Sequence, residues 1–198
     1  WRDWSSDVCS SDLATFGQSV AISNDDQWLY VGAPGESAVY AYAYNSNIPE
    51  EIDTITANGV ATTFTLNYTP VSTELVSVRT TGKDYVPFID YNISGSDIVF
   101  TAPPASGSIA VRQSPGFVYI DKIQGPNVNS KFGYSIATTT EGRQLIVGAP
   151  ETAVTFGNVS LSNAGSISVY DRTVDRYISN GQTLFGGLRN IKSVSKVY

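Results

Sequence analysis

Asp25 and Asp26 are adjacent carboxylates in a short polar stretch between two β-prone runs, and Glu141 occupies a similar stretch further along the chain. Loops of this kind hold calcium when six to eight oxygens converge, several of them from carboxylates at alternate positions. Neither stretch supplies that set, so a plain hairpin turn is the simpler reading, with Asp25 and Asp26 kept as the calcium candidates. Acid–base chemistry has less to work with. The sequence contains no His and a single Cys, Cys9. That removes the commonest general base and metal ligand, an internal disulfide and a four-thiolate cluster. Glu50 and Glu51 would point to opposite faces of a strand, and no base is at hand to activate a serine. Asp84, Asp90 and Asp97 read as solvated charges at turns and strand ends. Phe185-Gly186-Gly187 lacks the spacing of a phosphate loop. The expectation is a protein with no catalytic residue and no cofactor, one that binds and does not catalyse.

Composition narrows the elements that carry these residues. In 198 residues, 12 Lys+Arg stand against 18 Asp+Glu for a net charge of -6, and charged residues make up 15%. A nucleic-acid binder needs Lys and Arg clustered along a face, so nucleic acid is excluded as a partner. No apolar run approaches the roughly 20 residues needed to cross a bilayer as a helix. Aromatic residues reach 12%, with 12 Tyr, a composition that suits β-structure and not disorder.

The chain repeats itself. Phe16 onward reads FGQSVAISNDDQWLYVGAP, followed by AVYAYAY; Phe132 onward reads FGYSIATTTEGRQLIVGAP, followed by GSISVY. The same number of residues separates Phe16 from Gly32 as Phe132 from Gly148. Each copy predicts a hairpin: Ser19 to Ala21 turns into Trp28 to Val31, and Ser135 to Ala137 into Leu145 to Val147. Pro34 and Pro150 stop the second strand, because proline lacks the N–H that would extend a ladder. Third strands follow at Val39 to Tyr44 and Ser166 to Tyr170, the latter after a longer polar loop, Glu151 to Ala164.

These residues resemble the FG-GAP repeat, the blade unit of integrin-type β-propellers. The resemblance implies that Phe16, Gly17, Gly32, Ala33 and Pro34, with Phe132, Gly133, Gly148, Ala149 and Pro150, are structural motif positions. It also implies that Phe16, Phe132, Ala33 and Ala149 are core, packed between blades. The calcium loop DxDxDG that many such repeats carry is absent here. Tyr40, Tyr42 and Tyr44 share one face of a strand and are expected to form a buried stripe between blades. Their alternative, together with Tyr85 and Tyr91, is an exposed aromatic surface for a sugar or protein partner.

Between the repeats, Thr63 to Asn67, Leu75 to Arg79, Tyr85 to Tyr91, Asp97 to Thr101 and Ser108 to Arg112 are short β-prone runs separated by turn clusters. They predict a small antiparallel sandwich. The stretch is similar to a β-module of bacteriophage tail-fibre and other virion proteins. Phe117 to Gln124 then supplies the fourth strand of the first blade, so the module is expected to be inserted between third and fourth strands.

The fold expected is therefore all-β: blades of an incomplete propeller with an inserted β-sandwich. Residues 14–50 form the first blade's three strands, 51–115 the insert, 116–130 the outer strand and a linker, 131–179 the second blade, and 180–198 the start of a second insert. Residues 1–13 contain DWSSDVCSSDL, which is similar to a translated sequencing adapter and implies that this segment, Cys9 included, is not native. The chain is expected to be part of a longer one, with neighbouring blades of that chain and a host-cell protein or surface glycan as partners. The function expected is host attachment by a phage virion or tail appendage. The alternatives are a bacterial secreted or cell-surface adhesin and an accessory domain of a carbohydrate-active enzyme.

Overall fold

The computed structural model describes residues 15–173 and 176–186. The proposed adapter segment, and the part of the proposed second insert from residue 187 on, lie outside them. The described chain is all-β, with several antiparallel sheets, none of them closed. In chain order the strands are β1 (Ser19–Ile22), β2 (Trp28–Ala33), β3 (Ala38–Asn45), β4 (Glu51–Ala57), β5 (Thr63–Thr65), β6 (Val76–Arg79), β7 (Asp84–Tyr85), β8 (Tyr91–Ser94) and β9 (Asp97–Phe100). They continue with β10 (Gly107–Gln113), β11 (Gly116–Gln124), β12 (Ser135–Thr138), β13 (Gln144–Ala149), β14 (Val154–Phe156), β15 (Val159–Leu161), β16 (Ser166–Arg172) and β17 (Tyr177–Phe185). No helix among the described residues is long and apolar enough to cross a membrane.

Two compact units result. One runs up to Ala43 and resumes at Tyr119; the other is Tyr44–Val118. In the first unit, two four-stranded sheets have the same plan, β1-β2-β3-β11 and β12-β13-β16-β17. The hairpin β1–β2 pairs Ser19 with Gly32, and β12–β13 pairs Ser135 with Gly148. Tyr30, Val39 and Ala41 of the first sheet share one core with Phe132, Leu145, Val147 and Tyr170 of the second. The fourth strand of the first sheet, β11, lies beside β3 although about 70 residues separate them in sequence.

Two features of the second repeat differ from the sequence reading. The loop Glu151 to Ala164 contains a hairpin of its own, β14–β15, in which Val154 faces Leu161. Residues 180–185, assigned above to a second insert, lie in β17 and pair with β16 as far as Ser166↔Phe185. Asn180-Gly181 sits at a bulge in this pair: the register shifts between Ser168 and Tyr170, Gly181 has φ +81°, and Gln182 N–H donates to Asn180 Oδ1 at 3.0 Å. A β-bulge and a tight turn draw on the same left-handed glycine, so the dipeptide alone does not separate them.

The second unit has sheets β4-β10-β6-β7 and β5-β9-β8. Alternation builds its core: along β10, Ile109, Val111 and Gln113 point inward while Ser108, Ala110 and Arg112 point out. Ile109 and Val111 join Ile55, Val76, Val78, Ile98 and Phe100 in one apolar cluster drawn from both sheets. The buried amide of Gln113 is satisfied at both ends, accepting from Val71 N–H at 2.8 Å and donating to the Pro49 carbonyl at 3.2 Å. That pairing is what makes a buried carboxamide tolerable. The run Tyr85 to Tyr91 is not a strand. Pro87 lacks a ladder donor, Phe88 has φ +64°, and Asp90 Oδ2 accepts from Val86 N–H at 2.8 Å, folding the segment into a loop between β7 and β8.

Ile109 is fully buried at the centre of this core, so Ile109→Ala is expected to cost about 2–5 kcal/mol. Denaturant unfolding followed by fluorescence should show that loss. A cost under about 1 kcal/mol would mean that the two sheets do not share a packed core.

Candidate functional site

The sequence motifs converge on the seam between the two four-stranded sheets. Phe132 is 0% exposed, and its ring meets Tyr170 edge-on at 5.7 Å. Gly133 follows with φ +90°, where a Cβ would collide with the Ala38 carbonyl oxygen and lie 3.3 Å from Ala33 N. A Cβ on Gly32 would collide with the Gly133 carbonyl oxygen. Ser19 Oγ donates to that same oxygen at 2.7 Å. The Phe-Gly of the second repeat is thus seated on the Gly-Ala-Pro of the first, at a distance only glycine allows. Gly32, Ala33 and Pro34 are all buried by it.

The first repeat's own Phe-Gly has no such seat. Phe16 is 55% exposed and touches the Tyr40 ring edge-on at 5.2 Å. Its assignment to the core is therefore corrected: among the described residues, no sheet packs over it. Gly17 N–H donates to Gly32 O at 2.9 Å as Gly133 N–H does to Gly148 O at 3.2 Å, so the local conformation is the same in both repeats. In the second Gly-Ala-Pro, Ala149 is buried but Gly148 is half-buried and Pro150 exposed.

A polar latch secures the seam. The Tyr30 and Tyr177 hydroxyls lie 2.5 Å apart, and the Gly142 carbonyl is 3.2 and 3.0 Å from them. Two hydroxyl protons serve three contacts, so one phenol donates to the other and the second donates to the carbonyl. Arg172 Nε donates to the same carbonyl at 3.2 Å while its guanidinium lies 4.1 Å over the Trp28 ring. Burial pushes both phenols above their usual pKa, Tyr177 further. Sequence reasoning missed both tyrosines, since a lone Tyr in a strand carries no signal of its partner.

Asp25 and Asp26 do not form a cation cage. Asp25 Oδ1 accepts from Ser23 Oγ and from Gln27 N–H at 3.2 Å, and the Ser23 bond holds its carboxyl below the usual range. Asp26 adopts φ +56° in the turn. Among the described residues no group of three or more His, Cys, Asp or Glu side chains is placed to share a metal. The tyrosine stripe is likewise not buried between sheets. Tyr40 and Tyr42 are half-buried and Tyr44 is exposed, packed edge-on or tilted against Tyr119 and Phe117 on the face turned away from the second sheet. Tyr40 O–H donates to Glu36 Oε2 at 2.8 Å, which also pairs with Lys122 at 2.6 Å. Lys122, then Tyr40, holds the Glu36 carboxyl low.

The insert carries a second feature that sequence reasoning missed. Its loop between β7 and β8 exposes Val86, Phe88 at 60% and Ile89 at 69%. The backbone beneath is fixed by Phe88 N–H to Tyr91 O and Asp90 N–H to Val86 O, both 2.8 Å, and by Thr101 Oγ1 to the Ile89 carbonyl at 2.7 Å. Asp90, read as a solvated charge, anchors the loop and pairs with Lys83 at 3.1 Å. Beside it, a groove of about 310 Å³ is lined by Val76, Val78, Tyr85 and Pro87, with Arg79 and Asp84 at its rim. Tyr91 is buried rather than exposed; its hydroxyl donates to the Val76 carbonyl, and burial pushes its pKa up to about 12.

No protein-family model, no curated protein and no solved structure matches this chain.

Two outcomes are expected. Phe132→Ala should cost about 3–5 kcal/mol in denaturant unfolding, and Phe16→Ala under about 1 kcal/mol, because only the first leaves a cavity. Equal costs would contradict the asymmetry of the seam. Second, Tyr30, Tyr170, Tyr177, Tyr68 and Tyr91 all have raised folded pKa values. Above pH 10 the unfolded chain has released protons that the folded chain keeps, so stability falls as pH rises past 10. Thermal midpoints measured from pH 7 to 11 should stay level and then drop, and Tyr177→Phe should flatten the drop.

Proposed function

We propose that this chain is a non-enzymatic structural and attachment protein of a phage virion or tail appendage, built from FG-GAP-type propeller blades with an inserted β-sandwich. The observation that carries the reading is the docking of Phe132-Gly133 on Gly32-Ala33, one repeat stacked on the other in a fixed sense. Stacked blades form a rigid support. Attachment to a host-cell protein or surface glycan is assigned to the insert loop Val86-Pro87-Phe88-Ile89. Its exposed apolar side chains stand on a backbone already tied by hydrogen bonds, so little ordering is required on binding.

The test uses the fluorescently labelled full chain on a panel of bacterial envelopes and purified surface polysaccharides. Saturable binding to at least one surface is expected, weakened at least tenfold by Phe88→Ser with Ile89→Ser at an unchanged circular dichroism spectrum. Release of reducing ends from a bound polysaccharide would overturn the non-enzymatic reading. Binding indifferent to the double substitution would overturn the assignment of the loop.

A further inference from the structure

We propose that the open pocket on the far side of the second sheet is a self-association site that takes Phe16-Gly17 of a second copy of this chain, joining copies head to tail. The inference rests on the geometry of the repeat and is independent of the attachment reading.

The pocket, about 440 Å³, is lined by Ser135, Gly148, Ala149, Pro150, Gly165 and Gly186 among others. Each of these has a counterpart in the first sheet. Ala149 pairs with Ser166 as Ala33 does with Ala38. Gly186 N–H donates to Gly165 O at 3.0 Å as Gly125 N–H does to Ser37 O at 2.8 Å. In the first sheet this cradle holds Phe132-Gly133: a Cβ on Gly125 would collide with the Phe132 ring, and Ser19 Oγ reaches the Gly133 carbonyl. In the second sheet the corresponding glycines meet only their own repeat. Gly148 faces Ser135, and Gly186 faces the Ala164 carbonyl. The pocket is therefore a second cradle for a Phe-Gly turn with its phenyl side chain turned inward.

The chain supplies the matching plug. Phe16-Gly17 has the backbone hydrogen bond of Phe132-Gly133 but stands exposed. The surrounding faces agree. Val20, Ile22, Tyr40 and Tyr42 line the outer face of the first sheet, in the register positions by which Ile136, Thr138, Ser168 and Tyr170 meet it from the second. Ile146 and Ile167 on the outer face of the second sheet occupy the positions of Tyr30 and Val39. Both open faces are thus copies of the two sides of a contact this molecule already makes. Such a contact uses two different surfaces, so it propagates as a ring or filament and does not stop at a two-fold dimer.

Sedimentation velocity of the full chain over a concentration series is expected to show dimers, trimers and longer species. Phe16→Ser removes the plug and Leu184→Glu places a charge at the pocket. Both positions are exposed, so both variants should keep the wild-type circular dichroism spectrum. Each should weaken association about thirtyfold, the loss expected for truncating a buried anchor. Mixed in equal amounts, the two variants should form a one-to-one dimer and nothing larger, since one intact plug meets one intact pocket. A monomer at every concentration, a discrete dimer of the wild type, or association undiminished in either variant would each overturn the proposal.

Discussion

Gly32 and Gly133 bring two strands of backbone together with no room for a carbon atom between them, and the arrangement of the first unit follows from that approach. It lets Phe132 reach the core, gives Ser19 a carbonyl to bond across the seam, and buries Ala33 and Pro34. Toward the other end of β2, the Gly142 turn lies against Trp28 and Tyr30. Two anchors at separated points of one strand fix the angle between the sheets as well as their spacing. Apolar faces alone would permit sliding, because the hydrophobic effect is not directional. The glycine contact and the phenol–carbonyl latch supply the direction. The cost of the first is that Gly32 and Gly133 admit no side chain.

The two exposed apolar regions differ in kind. The open faces of the repeat sheets are regular strand surfaces whose counterparts are buried within the same molecule. Among the described residues the insert loop has no counterpart. It displays Phe88 from a left-handed backbone position, unusual for a bulky side chain, and is held there by Asp90 and Thr101. Strain of this sort persists only where surrounding bonds over-determine it. A regular surface suits repeated stacking of like on like, whereas a strained and rigid projection suits recognition of something unlike itself.

The all-β class was legible in the sequence because alternation and turn residues are local properties. Ser19 to Ala21 and Trp28 to Val31 lie within β1 and β2 and begin at the first residue of each. What eluded reading was relational. Phe16 and Phe132 have the same neighbours in sequence, yet one is exposed and the other buried, since burial depends on which sheet lies alongside. Tyr30 and Tyr177 announce nothing until they share a carbonyl. Gly186 looked like part of a failed phosphate motif, though its place after a fourth strand, as with Gly125, marks it as cradle. Asn180-Gly181 shows the limit within local reasoning itself, one dipeptide serving either a turn or a bulge.

The route of the chain through β3, the insert and β11 has a kinetic consequence. β11 must find β3 across the whole length of Tyr44–Val118, and an unstructured loop of that length opposes closure by its entropy. Once the insert has folded on its own apolar cluster, its ends are no longer free to wander, and the long loop behaves as a short one. The first four-stranded sheet is therefore completed late, after a unit that contributes no residue to the seam. Any delay in the insert leaves β3 as a bare edge during folding, the moment at which an unpaired strand is most open to capture by another chain.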